Sequence, residues 1–541
     1  MSEEVNFISK FESTVKECWD MPAIGDYGKS IASYGQLARD IEVLRMVCDA
    51  SGMKPGDRIA LNGRNCYGWA LIFMAATVLG YTSVLILHGS TSDTVERIVK
   101  KAGCKILFTE KATYAGMDFE AMPDLMGVVD VHTMELLAAR GNRVGLYLLR
   151  ERLFHAHYRE GFRITDLHYE ERSMDDLCCV IYTSGSTGNP KGVMLTGQNF
   201  QNYVDRIPQM FPMQRGDTHL NTLPFAHLFG LAYDTLAPLC LGQSVYILLD
   251  APSPSVLGKA LRDIHPEMLF VVPMVLNKLI SSVIGRDINN IGEKAGEKVR
   301  DALGGHIKGI MSAGAAASLD MEDLMVNRLR LPYVTGYGLT ECAPLITLSQ
   351  TDSYVRGSCG KVLPDMDGFR IDSPDPQNIP GELQVKSKFL FAGYYLNEEA
   401  TMDAFTKDGW FHTGDVGTID AGGHVILSGR CKNMLLTSNG QNVYPEEIET
   451  ILNAMPFVSE SLIVQRRESF GALIVPDAEG ESISGSTLEM VMNQNIAILN
   501  GKIPTYSKIS WYRIEKEPFE KTPKGSIKRF IYQDKENESA R

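Results

Sequence analysis

Between Tyr182 and Val193 the chain reads YTSGSTGNPKGV. Gly185 and Gly188 let the backbone take positive φ and come close to an anion. The hydroxyls of Thr183, Ser184, Ser186 and Thr187, with the backbone N–H groups between them, can donate to phosphate oxygens. Asn189-Pro190 closes the turn, and Lys191 supplies a charge that reaches the same oxygens. The residue order is not that of a Walker A loop, which needs GxxxxGK followed by Ser or Thr. Here Lys191 follows Pro190 and precedes Gly192, which disfavours a P-loop hydrolase. A Gly/Ser/Thr-rich stretch alone also has the composition of a flexible linker. Two features lift it above that: the apolar strand pattern Cys178–Tyr182 before it, and the lysine that precedes Val193, Met194 and Leu195.

The elements around this loop alternate. Leu37, Ile41, Leu44 and Cys48 recur at helical spacing; Arg58 to Leu61 reads as a strand, Trp69 to Leu79 as a helix and Thr82 to Leu87 as a buried strand. Thr94 to Lys101 follows as a short helix and Lys105 to Phe108 as a strand. Strands alternating with helices predict a parallel sheet with helices on its faces. Met268 to Val272 is a further buried strand, ending at Pro273. After Arg330 a glycine-rich, aromatic stretch leads into short strands with turns at Pro374-Asp375-Pro376 and Ala421-Gly422-Gly423, the pattern of a smaller β-rich unit. Past Lys432 a compact α/β piece is expected, where Pro445 before Glu446 and Glu447 marks a helix start. The tail after Tyr532 is polar.

A chain of 541 residues suggests about three to four units. With 44% apolar and 22% charged residues, it fills large cores. The net charge of −13 argues against a nucleic-acid partner, which needs an electropositive footprint. The cysteines form no CxxC pair, so free buried thiols are expected rather than zinc ligands. The acidic start MSEEVNFISKFEST lacks the pattern of a signal peptide. Trp69 to Leu87 approaches the length of a membrane span, but Gly80, Thr82 and Ser83 interrupt it, so a helix–strand pair is expected and a cytoplasmic protein. Residues 139–163 gather Arg140, Arg143, Arg150, Arg152, Arg159 and Arg163 among Leu, Tyr and Phe. Such a stretch can make peripheral contact with an anionic membrane; the plainer reading is a solvated face with snorkelling stems.

The loop YTSGSTGNPKGV resembles the signature of the adenylate-forming superfamily, which holds acyl-CoA synthetases, carrier-protein adenylation domains and luciferases. Further motifs in the same order extend the resemblance from about Tyr34 to Lys528. LPFAHLFG (Leu223–Gly230) implies that His227 lies beside the acyl channel; in isolation it reads as a core histidine. SAGAAAS (Ser312–Ser318) implies that Gly314 and Ala315 flank adenine or the acyl chain, although this chain has Ala316-Ala317-Ser318 where many members continue with proline. TGYGLTEC (Thr335–Cys342) implies acyl contact at Gly336, adenine stacking on Tyr337 beside Gly338, an α-phosphate contact from Thr340, and Mg²⁺ on Glu341. WFHTGDVG (Trp410–Gly417) implies that Asp415 accepts from both ribose hydroxyls, which suits the two oxygens of a carboxylate. In GRCKNML (Gly429–Leu435), Arg430 matches a second ribose contact and Lys432 the hinge. In SNGQNVYPEEIE (Ser438–Glu449), Gly440 would lie near the pantetheine passage.

The resemblance implies an α/β fold: a large N-terminal domain of stacked mixed sheets with helices plus a β-rich subdomain, and a small mobile α/β C-terminal domain. The expected boundaries are 1–429, a hinge at 430–432, 433–532, and a polar tail at 533–541. It implies two half-reactions with ATP, Mg²⁺ and coenzyme A, in which a fatty acid forms acyl-AMP and is then transferred to CoA. The motifs look most like bacterial long-chain fatty acid–CoA ligases. One motif departs. Where many members end in KTxxGKIxR, this chain has Lys521-Thr522-Pro523-Lys524-Gly525-Ser526-Ile527-Lys528-Arg529. Ser526 stands where the charge-neutralising lysine belongs. Lys524 and Lys528 lie two residues either side, on one face if the chain is extended, and either could serve, Lys528 preferred. Two alternatives stay open: an acyl-carrier-protein ligase or standalone adenylation enzyme, and a non-catalytic nucleotide or acyl binder.

Overall fold

The computed structural model describes residues 6–141, 144–183, 190–285, 294–315, 317–350, 354–437, 441–467, 469–522 and 525–533. Ser184, Gly185, Ser186, Thr187 and Gly188 of the phosphate loop, Arg143, Gly440 and Lys524 lie outside them. The chain forms two compact units. The first comprises Met1–Gly314, Leu324–Ile346 and Lys388–Asp403; the second comprises Ala315–Asp323, Thr347–Ser387 and Ala404–Arg541.

Two sheets build the first unit. One runs in the order Leu136–Ala139, Gly127–Asp130, Ile106–Thr109, Arg58–Asn62, Thr82–Ile86, Leu177–Thr183, Lys191–Thr196. Its interior pairs are parallel and its two outermost pairs antiparallel. In the other, the strands of this unit run Tyr333–Tyr337, Gly309–Ala313, Met268–Val271, Thr218–Asn221, Ser244–Ile247, Pro22–Asp26, Ala32–Ser33. All these pairs are parallel except the last. Most central strands are apolar, as strands covered on both faces tend to be; Thr218–Asn221 is an exception, with His219 and Asn221 buried.

The helix Tyr67–Leu79 packs against strands of both sheets. Its N-cap is Cys66, whose sulfur accepts from the Trp69 N–H, and Gly80 ends it at φ +75. Trp69 is fully buried, its ring 5.3 Å from that of Phe225 and 5.9 Å from that of Phe73. This is the apolar stretch whose length approached a membrane span, and it is the helix–strand pair that its glycine predicts. Among the described residues no helix is long and apolar enough to cross a membrane. Most cysteines are buried free thiols; Cys178 and Cys359 are half-buried and Cys431 is exposed.

The arginine-rich stretch is not one continuous amphipathic helix. A 3-10 segment Val144–Leu149 leads into the two-turn helix Arg150–His157. Only Phe154 of that helix is buried, under the Arg39 guanidinium and beside the rings of Tyr158 and Phe162. Arg140 pairs with Glu120, Arg150 stacks on Tyr147 and Arg163 pairs with Glu160. Those three side chains therefore serve local structure, while Arg152 and Arg159 are exposed, as is Leu148 (67% exposed).

The second unit contains a four-stranded antiparallel sheet, in the order Gly368–Asp372, Gly381–Lys386, Phe411–Ile419, Val425–Arg430. Beyond it in sequence stands a separate α/β core. Strands Val458–Arg466, Ser469–Pro476 and Ile509–Ile514 form its sheet. Helices Pro445–Asn453 and Gly485–Lys502 bury Ile448, Leu452, Met492 and Leu499 against Ile463, Phe470 and Ile474. Pro445 occupies the first turn of its helix, with Glu446 and Glu447 beside it. The fold class is the mixed α/β expected.

Candidate functional site

The first unit holds most of the site residues expected from the sequence. Leu177–Thr183 and Lys191–Thr196 pair antiparallel, with Thr183 opposite Lys191, so the two strands bracket the loop between them. The Thr183 hydroxyl donates to the Lys191 carbonyl (3.4 Å). Beside the second strand runs the segment 391–395. Met194 N–H donates to the Gly393 carbonyl (3.0 Å), Ala392 N–H to the Met194 carbonyl (2.9 Å) and Tyr395 N–H to the Gly192 carbonyl (2.7 Å). That pairing sets the Tyr394 ring under the Lys191 ammonium, 4.7 Å from the ring centroid. The Tyr394 hydroxyl in turn donates to Glu341 Oε1 (2.9 Å), and the Phe391 N–H donates to the Glu341 carbonyl (2.9 Å). Burial, then the Glu341 carboxylate, pushes the Tyr394 phenol up, so it stays a donor. Lys191 at the ring face and Glu341 at the hydroxyl thus meet one tyrosine.

Glu341 sits in the short 3-10 turn Thr340–Cys342 after the strand Tyr333–Tyr337. The turn doubles back: Ile346 N–H donates to the Tyr337 carbonyl (2.8 Å), and Ala343 takes φ +52. Gly338 is where the two limbs touch; a Cβ there would lie 1.8 Å from the Pro344 carbonyl oxygen. Tyr337 and Gly336 are buried, and Thr340 and Glu341 half-buried. Gly336 pairs in register with Ala313, the last residue of the strand Gly309–Ala313. Gly314 then turns out at φ +85 and is exposed, with nothing nearer to a hypothetical Cβ than Val272 at 3.9 Å. His227 is half-buried as the N-cap residue of the helix Leu228–Leu231; its N–H donates to the Pro224 carbonyl (3.0 Å).

The second unit holds the remaining positions. Ala315 is exposed at the unit boundary. Asp415 and Arg430 lie directly opposite in neighbouring antiparallel strands, and Arg430 Nε is 2.6 Å from Asp415 Oδ1. The Asp415 N–H donates to the Thr413 hydroxyl (3.1 Å), and its side chain is 7% exposed against 45% for Arg430. Lys432 lies in the 3-10 turn Cys431–Asn433 that follows.

Near the C-terminus Lys524 lies outside the described residues, so the face it was expected to share with Lys528 is not described. Lys521 bridges Ile527, Thr522 N–H donates to the Ser526 carbonyl (2.8 Å), and Gly525 N–H donates to the Thr522 carbonyl (2.8 Å) with Gly525 at φ +81. The chain turns back on itself there, because glycine supplies a left-handed conformation. Ser526 is exposed at this turn. Lys528 Nζ lies 3.4 Å from Glu520 Oε2. The next residue, Arg529, anchors the hairpin: its guanidinium engages both carboxylate oxygens of the buried Glu449, which also accepts from the Ile463 N–H (2.7 Å).

Sequence reasoning passed over Tyr394. Its signal is slight: three aromatics, Phe391, Tyr394 and Tyr395, around Gly393 in a segment with no periodicity. It also passed over Glu449, which reads as one more acid on a polar helix face.

A family model described as AMP-binding enzyme matches residues 11–395, and one described as AMP-binding enzyme C-terminal domain matches residues 432–535. The long-chain-fatty-acid–CoA ligase FadD15 of Mycobacterium bovis is 27% identical over 490 residues, covering 82% of this chain and 77% of its own. The mitochondrial medium-chain acyl-CoA ligase ACSF2 of Rattus norvegicus is 26% identical, covering 92% and 82%. Among solved structures, the anthranilate CoA ligase AuaEII in complex with anthranoyl-AMP superposes with TM-score 0.81 at 18% identity, over 99% of this chain and 98% of that one. ATP-bound MatB from Rhodopseudomonas palustris gives 0.78 at 23% identity, over 98% and 99%.

Proposed function

The chain belongs to the AMP-binding enzyme family, and from that premise we propose that it is an acyl-CoA ligase that activates a long-chain fatty acid. The fatty carboxylate attacks the α-phosphorus of ATP and pyrophosphate leaves, giving acyl-AMP. The CoA thiol, giving up its proton, then attacks the acyl carbonyl and AMP leaves. The observation that carries the reading is the Lys191–Tyr394–Glu341 cluster at the ends of the strands that bracket the phosphate loop. It presents a cation and an oriented carboxylate together, which is what charge crowding at phosphorus requires.

Mg²⁺ fits this arrangement. Among the described residues no group of three or more His, Cys, Asp or Glu could hold a metal by itself. A single carboxylate suits an ion that takes its other ligands from phosphate oxygens and water. Glu341 would hold it, and the bound ion supplies neutralising charge. Thr340 and the hydroxyls of the loop would donate to phosphate; Tyr337, Gly338, Gly314 and Ala315 would border the base. Asp415, steadied by Arg430, would accept from the ribose hydroxyls. His227 and Gly336 would border the acid, Gly440 the pantetheine, and Lys432 would be the hinge on which the C-terminal domain moves. Lys528 is preferred over Lys524 as the C-terminal cation, although its own partner Glu520 competes for it.

The long-chain assignment is supported by the FadD15 match, with medium-chain ligases at similar identity. Peripheral contact with an anionic membrane through 139–163 is supported by the exposure of Arg152 and Arg159 together with Leu148, Leu149 and Ile164. Vesicle flotation of Arg152→Glu/Arg159→Glu tests it, and unchanged binding would sink it. A second reading, a nucleotide or acyl binder without adenylation chemistry, is favoured by one observation: the exposed Ser526 in place of a lysine. Fatty-acid-dependent exchange of labelled pyrophosphate into ATP separates the two. Exchange that rises with fatty acid is expected; binding of ATP without exchange would establish the second reading.

A further inference from the structure

The strand Thr218–Asn221 ends on a fully buried asparagine, and the residues after it lead to His227. The hydrogen bonds of this turn run in one direction. Phe225 N–H donates to Asn65 Oδ1 (2.9 Å). Asn65 Nδ2 donates to Asn221 Oδ1 (2.6 Å) and to the Leu223 carbonyl (2.7 Å). Asn221 Nδ2 donates to the same carbonyl (2.8 Å) and to Asp234 Oδ2 (2.9 Å). Asp234 ends the series. It is completely buried, and burial pushes its carboxyl up to about 8 against the opposing pull of Asn221 and the nearby N–H groups of Thr222 and Leu223.

Apolar neighbours in sequence, Leu220, Leu223, Phe225 and Leu231, are all buried. A chain of amide donors in such a place needs an acceptor at its end, or its last N–H is stranded at high cost. The acceptor is brought there by a π-helical turn, Ala232–Leu236, inserted between the helices Leu228–Leu231 and Ala237–Leu241. Such single π turns are rare and gather at functional sites. Apolar residues of the same volume would fill this space without the desolvation cost, so packing alone does not account for the three polar side chains. Their shared target does: each bonds to the turn that carries His227, or to a side chain that does.

We propose that Asn65, Asn221 and Asp234 form a positioning relay that fixes the Thr222–His227 turn and, through it, the mouth of the acid-binding channel. Asp234 is a positioning residue; it controls affinity for the fatty acid without touching it. The inference rests on the reading of His227 as a substrate-side residue.

The test uses the full chain, Asp234→Ala and Asp234→Asn. It measures KM for palmitate and for ATP separately, with hydrogen exchange over 222–227. Leaving the buried Asn221 N–H without its acceptor predicts a rise of about tenfold or more in KM for palmitate in Asp234→Ala, with KM for ATP within about twofold. Exchange at 222–227 should accelerate by a similar factor. Asp234→Asn should fall between the two proteins: its amide oxygen still accepts from Asn221, but an NH₂ donor takes the place of the buried Oδ1. KM for acid and ATP rising together, or exchange at 222–227 unchanged, would overturn the relay. A native chain that makes no acyl-CoA would overturn the proposed function instead, and the exchange measurement would still read the relay. If Asp234→Ala does not fold, Asn65→Ala cuts the series at its other end and must give the same KM split and exchange change; any other result overturns the proposal.

Discussion

Arg529→Met is expected to destabilise the C-terminal α/β core in a pH-dependent way. Glu449 is buried, takes the Ile463 N–H, and is engaged on both oxygens by Arg529. Burial pushes its carboxyl up to about 7 even with the guanidinium beside it. The unfolded chain titrates this group near 4.5. A raised carboxyl pKa means that the native state binds the proton more tightly. Stability therefore falls as pH rises from about 4.5, and levels off once the native carboxyl ionises near 7. Without Arg529 the carboxyl rises further and the fall continues. Each pH unit of that continuation costs about 1.36 kcal/mol, so between about pH 7 and pH 8.5 the variant should lose roughly 2 kcal/mol more than the native protein. Below pH 7 the difference is confined to the lost guanidinium hydrogen bonds and packing. Native-state hydrogen exchange over Val458–Arg466, corrected for intrinsic rates, reads this opening free energy directly, and the Ile463 amide is the closest reporter. A native–variant difference that is the same at pH 6 and pH 8.5 would refute the account of Glu449 as a carboxylate held by Arg529.

Other outcomes follow from the site. Tyr394→Phe removes the hydroxyl that donates to Glu341 at 2.9 Å but keeps the ring under Lys191. kcat/KM for ATP should drop by about tenfold, with a matching rise in the Mg²⁺ concentration needed for half-maximal rate. Gly338→Ala forces a Cβ onto the Pro344 carbonyl; displacing the Glu341 turn by about 1 Å should lower kcat by roughly a hundredfold, with unchanged far-ultraviolet circular dichroism. Lys528→Ala should slow pyrophosphate exchange by about a hundredfold and leave thioester formation from preformed acyl-adenylate unaffected; Ser526→Lys in that background should restore much of the exchange.

Features written in contiguous residues were legible in the sequence. The apolar run Trp69–Leu87 split where Gly80 stands, because glycine ends a helix in the left-handed conformation that Gly80 takes. Pro445 started its helix for the equally local reason that its missing N–H is an orphan there anyway. What could not be read depends on chain pairing across long separations. Tyr394 meets Lys191 only because the segment 391–395 lines up beside the strand Lys191–Thr196. The hydrogen bonds from Asn65 through Asn221 to Asp234 join residues far apart in sequence, and each member alone is an ordinary polar residue. The arginine-rich stretch is divided more finely than its composition shows. Its composition suggested one amphipathic face, whereas Arg140, Arg150 and Arg163 are taken up by Glu120, Tyr147 and Glu160.

The purified chain, given ATP, Mg²⁺, CoA and an equimolar ladder of saturated fatty acids, should yield acyl-CoA with AMP and pyrophosphate in equal amounts by mass spectrometry, with the longer chains consumed first. Products limited to ADP and phosphate, or acyl transfer to a carrier protein with none to CoA, would contradict the proposed reaction.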